Sequence, residues 1–467
     1  MKRIEQLPMP PTSGVLGHVS YLKQPNVHQQ MLCWIKEYGA HFRLKLGMKD
    51  VLVLSDAAQI KSVLKSRPEE FRRLKNIESV FDEVGLNGVF SAEEERWKHQ
   101  RKLTEPMFQP GHLKNFHPQL SVITERLGKH LEMLAESGEV VELVAEFKKY
   151  TVDVTSLLAF GEDFNSIEQT TVPLSKSLQN VFPVINQRCS SPIPLWRFFK
   201  TKKDKLFDTS LEDIGHFVYG CIEKQRARLA HEPALKDSPE NMLQIMLLEQ
   251  EQDSSLTDQD IVANAITLLL AGEDTTANTL AWMAFLVSGN RSSELALQDE
   301  LDALGKRKVL EWPLPRTPYM TAVMYEAMRL KPVAPQLYLE PTRDTQIGDI
   351  EVKKGTPVFV MLHANGFDAD LFEDPTTFNP NRWIEKDGAS FSNLQPFGGG
   401  ARLCPGRSLA MMEIKLAFHT LFKEFSIEPQ QAPETVVEQF AFTMSPVGFN
   451  VKITKRSYLT NRRIESQ

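Results

Sequence analysis

The chain has 467 residues, 42% of them hydrophobic, and a formal net charge of −6. That balance describes an ordinary globular protein, argues against a nucleic-acid partner and leaves enough apolar sequence for a large core. Four cysteines, Cys33, Cys189, Cys221 and Cys404, stand far apart with no CxxC pair. Neither a disulfide framework nor a zinc site is indicated, and a reducing, cytoplasmic setting fits best.

No internal repeat, low-complexity tract or long linker divides the chain, so one domain over 1–467 is expected, where length alone would suggest about three. The N-terminus runs into Leu7-Pro8-Met9-Pro10-Pro11 without an apolar stretch of signal-peptide or membrane-span length, so no membrane span is expected. A short helix is predicted over 26–38. His41 to Leu46 alternates polar and apolar side chains and Val51 to Leu54 follows a Gly47-Met48-Lys49-Asp50 turn, the pattern of a hairpin. Helical patterning begins at Asp56, and residues 71–90, with Phe71, Phe81, Gly85, Gly88 and Phe90, break it as a loop that covers the core or walls a pocket. A helix over 93–108 carries Trp97, Lys98, His99, Arg101 and Lys102. Trp97 and Arg101 are four apart and share a face, which offers an indole N–H and a guanidinium to a carboxylate; a solvated basic helix is the plain alternative.

Further helices are predicted over 117–136, 141–160, 171–183 and 204–230. Between the last two, residues 183–199 hold Pro192, Pro194, Trp196, Phe198 and Phe199, an apolar segment that serves as a lid or as a packed loop. The stretch 257–289 opens with Thr257-x-x-Asp260, a capping box, and closes with Gly289-Asn290. At about 1.5 Å per residue it makes a helix of roughly 50 Å. Residues 261–270 are apolar on most faces, which marks a core helix. Into that helix the sequence sets Ala271-Gly272-Glu273-Asp274-Thr275-Thr276. Small residues let a flat object approach the backbone, and an acid beside an alcohol in mid-core is costly unless it is used. A bend made by threonines bonding back to the previous turn is the alternative without chemistry.

A helix over 317–330 carries Glu326-x-x-Arg329 between apolar flanks, which points to burial of a pair that at this spacing usually adds only about 0.2–0.5 kcal/mol at a surface. Short strands are predicted over 336–339, 350–352 and 357–361, then a proline-punctuated meander through Arg382 and Trp383, and a final strand pair over 440–444 and 448–453. Between meander and strand pair lies Phe397-Gly398-Gly399-Gly400-Ala401-Arg402-Leu403-Cys404-Pro405-Gly406. Its cysteine sits in a glycine-rich turn, with Pro405 where the first helical residue is expected and a helix-patterned run over 408–422. Backbone N–H groups freed by the turn and the helix start lower a thiol's pKa and suit the sulfur to a metal; a small buried hydrophobe is the bland alternative.

Trp97-x-x-x-Arg101, the Ala271 to Thr276 run, Glu326-x-x-Arg329 and the Phe397 to Gly406 loop occur in this order, and together they resemble the cytochrome P450 family of haem-thiolate monooxygenases over essentially the whole chain. The resemblance implies a mainly α fold with small β-sheets: a helical bundle around a long central helix, with a β-rich subregion mainly over 38–56, 336–361 and 425–453. It implies haem b with Cys404 as the proximal iron ligand, whose thiolate favours cleavage of dioxygen. Gly400 and Gly406 would keep the loop close to the porphyrin, Phe397 would shield the sulfur, and Arg402, Trp97 and Arg101 would bind the propionates. Glu326, Arg329 and Arg382 would lock the fold on the cysteine side. On the opposite face Asp274 and Thr275 would relay protons, and Ala271 and Gly272 would leave the groove for oxygen. Residues 335–341 lack the Arg or His with which many members hold a propionate, and His99 is a substitute.

The intact acid-alcohol pair and cysteine loop favour monooxygenation over rearrangement or peroxide use, and the wording around Arg402 and Cys404 is similar to the microsomal-like branch. Only 63 residues (467 minus 404) follow Cys404, too few for a fused reductase. Electrons from NAD(P)H are therefore expected through a ferredoxin or flavodoxin drawn to Lys98, Lys102, Arg96 and Arg407, despite the acidic whole-chain balance, and a monomer is expected. The pocket implied by the resemblance, over 71–90, 183–199, 263–271, 333–337 and 441–444, is mostly apolar and suits a fatty acid, a terpenoid or steroid, or a polyketide-like metabolite. A non-catalytic haem-thiolate binding or sensor protein is the alternative, and Asp274-Thr275 argues against it. A hydrolase using Cys404 with His419 is disfavoured, because that histidine lies about four turns down the following helix.

Overall fold

Thr257 caps the longest helix as its spacing predicts. In the computed structural model its hydroxyl accepts from the Asp260 N–H, while the Asp260 carboxylate accepts from the Thr257 N–H at 3.1 Å. The structure describes residues 1–169, 174–191, 194–305, 309–384 and 394–456. The helices in chain order are Val19–Leu22 (α1), Val27–Tyr38 (α2), Ala57–Lys65 (α3), Lys75–Glu83 (α4), Glu94–Thr104 (α5), Pro110–Ser137 (α6), Leu143–Phe160 (α7), Ser175–Cys189 (α8), Lys202–His231 (α9), Ala234–Asp237 (α10), Met242–Gln252 (α11), Asp258–Ser288 (α12), Arg291–Ala303 (α13), Pro318–Leu330 (α14) and Arg407–Glu424 (α15). Apolar residues surround most of α12, so it runs through the core and packs on α7, α9, α14 and α15.

The strands are Lys2–Arg3 (β1), His41–Leu46 (β2), Lys49–Leu54 (β3), Phe71–Arg73 (β4), Val140–Glu142 (β5), Leu337–Pro341 (β6), Thr345–Ile347 (β7), Ile350–Val352 (β8), Val358–Val360 (β9), Phe425–Pro429 (β10), Val437–Phe440 (β11), Met444–Val447 (β12) and Asn450–Lys455 (β13). The largest sheet has the order β2-β3-β9-β6-β4, antiparallel except for β3 with β9. Its β2–β3 hairpin follows the predicted alternation, with Phe42 and Leu44 turned into the core. Smaller sheets join β1-β8-β7 and β10-β13-β5, and β11 pairs with β12. The result is mainly α with small β-sheets. Among the described residues no helix is long and apolar enough to cross a membrane.

Several element boundaries differ from the sequence expectation. Residues 71–90 are not one loop: Phe71–Arg73 pairs with β6, and α4 follows because Ile77, Val80 and Phe81 at i, i+3 and i+4 bury one helical face. Pro118 and Pro183 lie inside α6 and α8, where each was expected to sit at or near a helix end. In α6 the buried stripe starts at Leu113 and Phe116, which carries the helix back to Pro110 at its first position. The predicted helix over 171–183 falls partly outside the described residues. The expected strand pair over 440–444 and 448–453 is also corrected. Residues 441–443 form the turn between β11 and β12, the Phe440 N–H bonds Pro25, and β13 pairs with β10 and β5 instead.

Candidate active site

Gly398 and Gly400 adopt φ of +74° and +64°, a conformation that favours glycine, and so fold the loop back on itself. The Cys404 N–H donates to the Phe397 carbonyl at 2.9 Å, and Arg101 Nη1 on α5 donates to the Leu403 carbonyl at 2.8 Å. A Cβ on Gly400 would lie 2.3 Å from the Leu64 carbonyl, so close approach to α3 requires a glycine here. A Cβ on Gly406 would meet Phe108 and the Cys404 sulfur only at ordinary contact distance. Gly406 is the N-cap of α15, whose first residue is Arg407, so Pro405 precedes the cap instead of opening the helix.

The N–H groups of Gly406 and Arg407 point at the sulfur, and the Arg101 and Arg407 guanidiniums lie near it. Burial outweighs all four and pushes the Cys404 thiol up, the reverse of the expected lowering. A thiol held this way carries its proton unless a metal displaces it. Arg407 lies over the Phe397 ring at 5.7 Å, and a cavity of about 370 Å³ opens beside Arg101, Phe108, Cys404 and Arg407. Among the described residues no group of three His, Cys, Asp or Glu side chains gathers. The sulfur therefore suits a metal whose remaining ligands come from a cofactor.

A cationic cluster stands beside this loop. Arg402 lies over the Trp97 ring at 4.8 Å and donates to the Ala92 carbonyl at 2.9 Å and to Glu93 at 2.5 Å. Arg67 reaches the same Glu93 oxygen at 3.5 Å and Arg73 approaches it at 3.9 Å. Three almost buried guanidiniums thus share one carboxylate. Burial, with the neighbouring cations, pushes Arg402 down to about 8 and Arg67 to about 10. The Nε atoms of Arg67 and Arg73 and one Glu93 oxygen have no hydrogen-bond partner. Such a cluster is short of negative charge and fits a ligand bearing two carboxylates, as the haem propionates do.

Neither Arg67 nor Arg73 was anticipated. Arg73 comes from β4, which pairs with β6, opposing Arg73 to Leu339, and so sets a cation beside the segment 335–341 that lacks one. His99 lies toward Asp253, away from the cluster. Arg96 points to Asp82 at 3.3 Å and Asp260 at 3.7 Å, toward α4 and α12 and not toward the cysteine side as expected, and Lys98 pairs with Glu95 at 2.7 Å.

Between Ile261 and Ser288 on α12, Ala271 alone is exposed, which marks an open space against the core helix. The Thr275 hydroxyl donates to the Ala271 carbonyl at 2.7 Å, so the back-bonding weighed against chemistry at this position is present. Asp274 meets Lys148 of α7 at 2.6 Å. Burial, reinforced by Asp274, pushes the neighbouring Glu273 carboxyl up to about 7. Gly272 was expected to open the oxygen groove. A Cβ there would instead lie 2.5 Å from the Thr155 hydroxyl, so this glycine serves the approach of α7 to α12.

Glu326 and Arg329 are buried, as their apolar flanks predict. Arg329 donates to both Glu326 oxygens at 2.9 and 2.7 Å, and to the carbonyls of Gly366, Pro375 and Thr377. Glu326 also accepts from Arg382 Nε at 3.1 Å, the Asn379 N–H at 2.9 Å and Trp383 Nε1 at 2.7 Å. Trp383 was read only as part of the meander; its N–H completes the carboxylate's shell.

A lone half-buried thiol in a glycine loop, beside a cationic cluster that fits two carboxylates, suits a metallated, dianionic flat cofactor. The chain belongs to the cytochrome P450 family, whose sequence model matches residues 7–453. Cytochrome P450 3A6 of Oryctolagus cuniculus is 30% identical over 413 residues, covering 84% of this chain and 80% of that protein. Protein LUTEIN DEFICIENT 5, chloroplastic, of Arabidopsis thaliana is 27% identical over 439 residues, covering 90% and 73%. Carotene epsilon-monooxygenase, chloroplastic, of the same plant is 26% identical over 416 residues, covering 85% and 76%. The protein is accordingly a haem monooxygenase, an oxidoreductase acting with a redox partner.

Proposed function

We propose that this protein inserts one oxygen atom of O2 into a hydrophobic small molecule, using haem b held by Cys404 and electrons from NAD(P)H delivered by a separate ferredoxin- or flavodoxin-type partner. The observation that carries the reading is the shortage of negative charge at Arg67, Arg73 and Arg402 beside the single cysteine loop. Bound haem supplies the redox chemistry of dioxygen activation. Around it, Cys404 binds as thiolate, with the Gly406 and Arg407 N–H groups directed at the sulfur's charge. Arg101 steadies the Leu403 carbonyl, so it positions the loop, while Arg402, Arg73 and Arg67 take the propionates and Trp97 supports Arg402 from below its guanidinium plane.

Ala271 leaves room at α12. The Thr275 hydroxyl, already oriented by the Ala271 carbonyl, holds a proton at Oγ1, and Asp274 resupplies it from the Lys148 side, where the pair meets solvent. Glu326 and Arg329, with Arg382, keep the meander closed over the cysteine side.

For the substrate, the fold brings together two of the apolar segments expected to line the pocket: Phe90 stands 5.7 Å from Phe81 and 5.4 Å from Phe442, centroid to centroid. This aromatic group supports an apolar substrate of terpenoid or steroid type ahead of a fatty acid, and one relative's name, a carotene monooxygenase, supports the same class. Replacing Thr275 by Ala tests the reading: substrate binding should stay within about twofold while product per electron falls about tenfold and peroxide rises. Unchanged coupling contradicts the proton-holding role.

A further inference from the structure

We propose that the cavity between α15, the start of α6 and the segment 310–314 is a binding site for a small aromatic carboxylate. Its volume is about 350 Å³, the size of a small-molecule site. One wall is a single face of α15, where Ser408, Met411, Met412 and Lys415 stand at i, i+3, i+4 and i+7. Leu113 of α6 lines it as well, together with Trp312 and Leu314. Ser408 and Met411 also reach the cavity beside Cys404, but Arg101, Cys404 and Arg407 take no part in this one. It is a separate site.

The apolar lining says what the body of the ligand is. Trp312 is held by α6: the His117 ring meets the indole in a T-shaped contact at 5.9 Å, while His117 Nε2 donates to the Leu310 carbonyl at 3.1 Å. The indole is nevertheless 39% exposed. Folding therefore fixes this ring at the cavity and leaves much of its surface without a packing partner. Two methionines share the lining, and thioether sulfur, like an indole, makes favourable contacts with an aromatic ring. An aryl group suits this combination better than a flexible chain, which would lose more rotamer freedom on binding.

Lys415 supplies the sign of the charge. Its side chain is half-buried, and burial lowers its pKa; Glu300 acts in the opposite direction and offsets only part of that shift. The Glu300 carboxylate is engaged elsewhere, because its two oxygens accept from the Tyr319 and Met320 N–H groups at 2.7 and 2.9 Å in the first turn of α14. Among the described residues Lys415 has neither a carboxylate at ion-pair distance nor a hydrogen-bond partner. An ammonium so placed on an apolar wall is under-compensated, and a ligand carboxylate would complete it. Ser408 and Lys415 lie about 10 Å apart along α15, so a body of about two rings with its acid group at the Lys415 end spans the wall. The inference goes beyond the proposed reaction and does not depend on it.

The test is calorimetric titration of 2-naphthylacetate into the haem-loaded full chain whose substrate pocket is filled with clotrimazole. The wild type should bind the acid at one site and 2-naphthylacetamide about tenfold or more weakly. K415M should lose about tenfold in affinity for the acid and K415R should keep most of it. L314W, which fills the cavity, should abolish binding, with circular dichroism and the haem spectrum unchanged in all three variants. The proposal is overturned if the wild type does not bind the acid, if the amide binds as tightly, or if K415M and L314W both bind as the wild type does. Binding that is seen only without clotrimazole would place the acid in the substrate pocket and overturn it equally.

Discussion

Asp274 of the central helix and Lys148 of α7 meet at 2.6 Å, with the lysine side chain 38% exposed and the carboxylate 20%. Burial alone would lower the Lys148 pKa; Asp274 and Glu273 overcome it and raise the value. The pair therefore fixes the Asp274 side chain next to Thr275 with one end still in contact with water. Lys148 is a positioning residue in this arrangement.

Replacing Lys148 by Met should release Asp274 and lower kcat roughly two- to tenfold with KM little changed, because substrate contacts are untouched. K148R should restore most of the rate. Steady-state kinetics with a solvent isotope effect that grows in K148M checks this, and an unchanged kcat contradicts it.

In the Arg67, Arg73 and Arg402 cluster, Arg73 carries buried charge that Glu93, shared by all three, cannot balance alone. R73L should leave the haem-free form as stable as the wild type or more so, since it removes an under-compensated cation. Haem should meanwhile leave about tenfold faster, since one charge-assisted contact to a propionate is gone. Haem transfer to apomyoglobin and thermal unfolding of the apoprotein read the two effects separately.

Breaking the Glu326 hub should be more costly. E326Q leaves Arg329 buried with its partner neutralised, for which about 3–5 kcal/mol is expected, whereas W383F removes one hydrogen bond and should cost about 1–3 kcal/mol. Urea unfolding of both variants should give that order.

Burial pushes the Glu413 carboxyl from 4.5 up to about 8, and one of its oxygens has no partner. Between those two values the folded state keeps a proton that the unfolded chain releases. The stability this group allows is therefore full below pH 4.5 and is lost progressively as pH rises through about 8, by at most about 5 kcal/mol. E413Q cannot ionise. Its Tm should equal or exceed that of the wild type near pH 8, with a flatter fall from pH 4.5 upward; parallel Tm profiles contradict the assignment.

The features legible in the sequence were local ones. The Thr257/Asp260 capping box, the β2–β3 alternation and the burial of Glu326 with Arg329 all follow from residues within one or two turns of each other. Residues whose roles depend on distant neighbours were not legible. Arg73 joins the cationic cluster because β4 pairs with a strand more than 260 positions away, and Gly272 and Gly400 are demanded by Thr155 and by Leu64, which no spacing rule connects to them. Lys148 reads as an ordinary surface lysine until α7 docks on α12. Helix α4 was overlooked because Phe71, Phe81, Gly85, Gly88 and Phe90, spread over residues 71–90, suggested a loop, although Ile77, Val80 and Phe81 already carried the helical period.

The central claim is that Cys404 supplies the thiolate ligand of a haem. The absorption spectrum of the reduced, haem-loaded protein under carbon monoxide tests it most directly. The account predicts the red-shifted Soret band of thiolate ligation, lost in Cys404→Ser; a bound haem with an unshifted band in the wild type would contradict it.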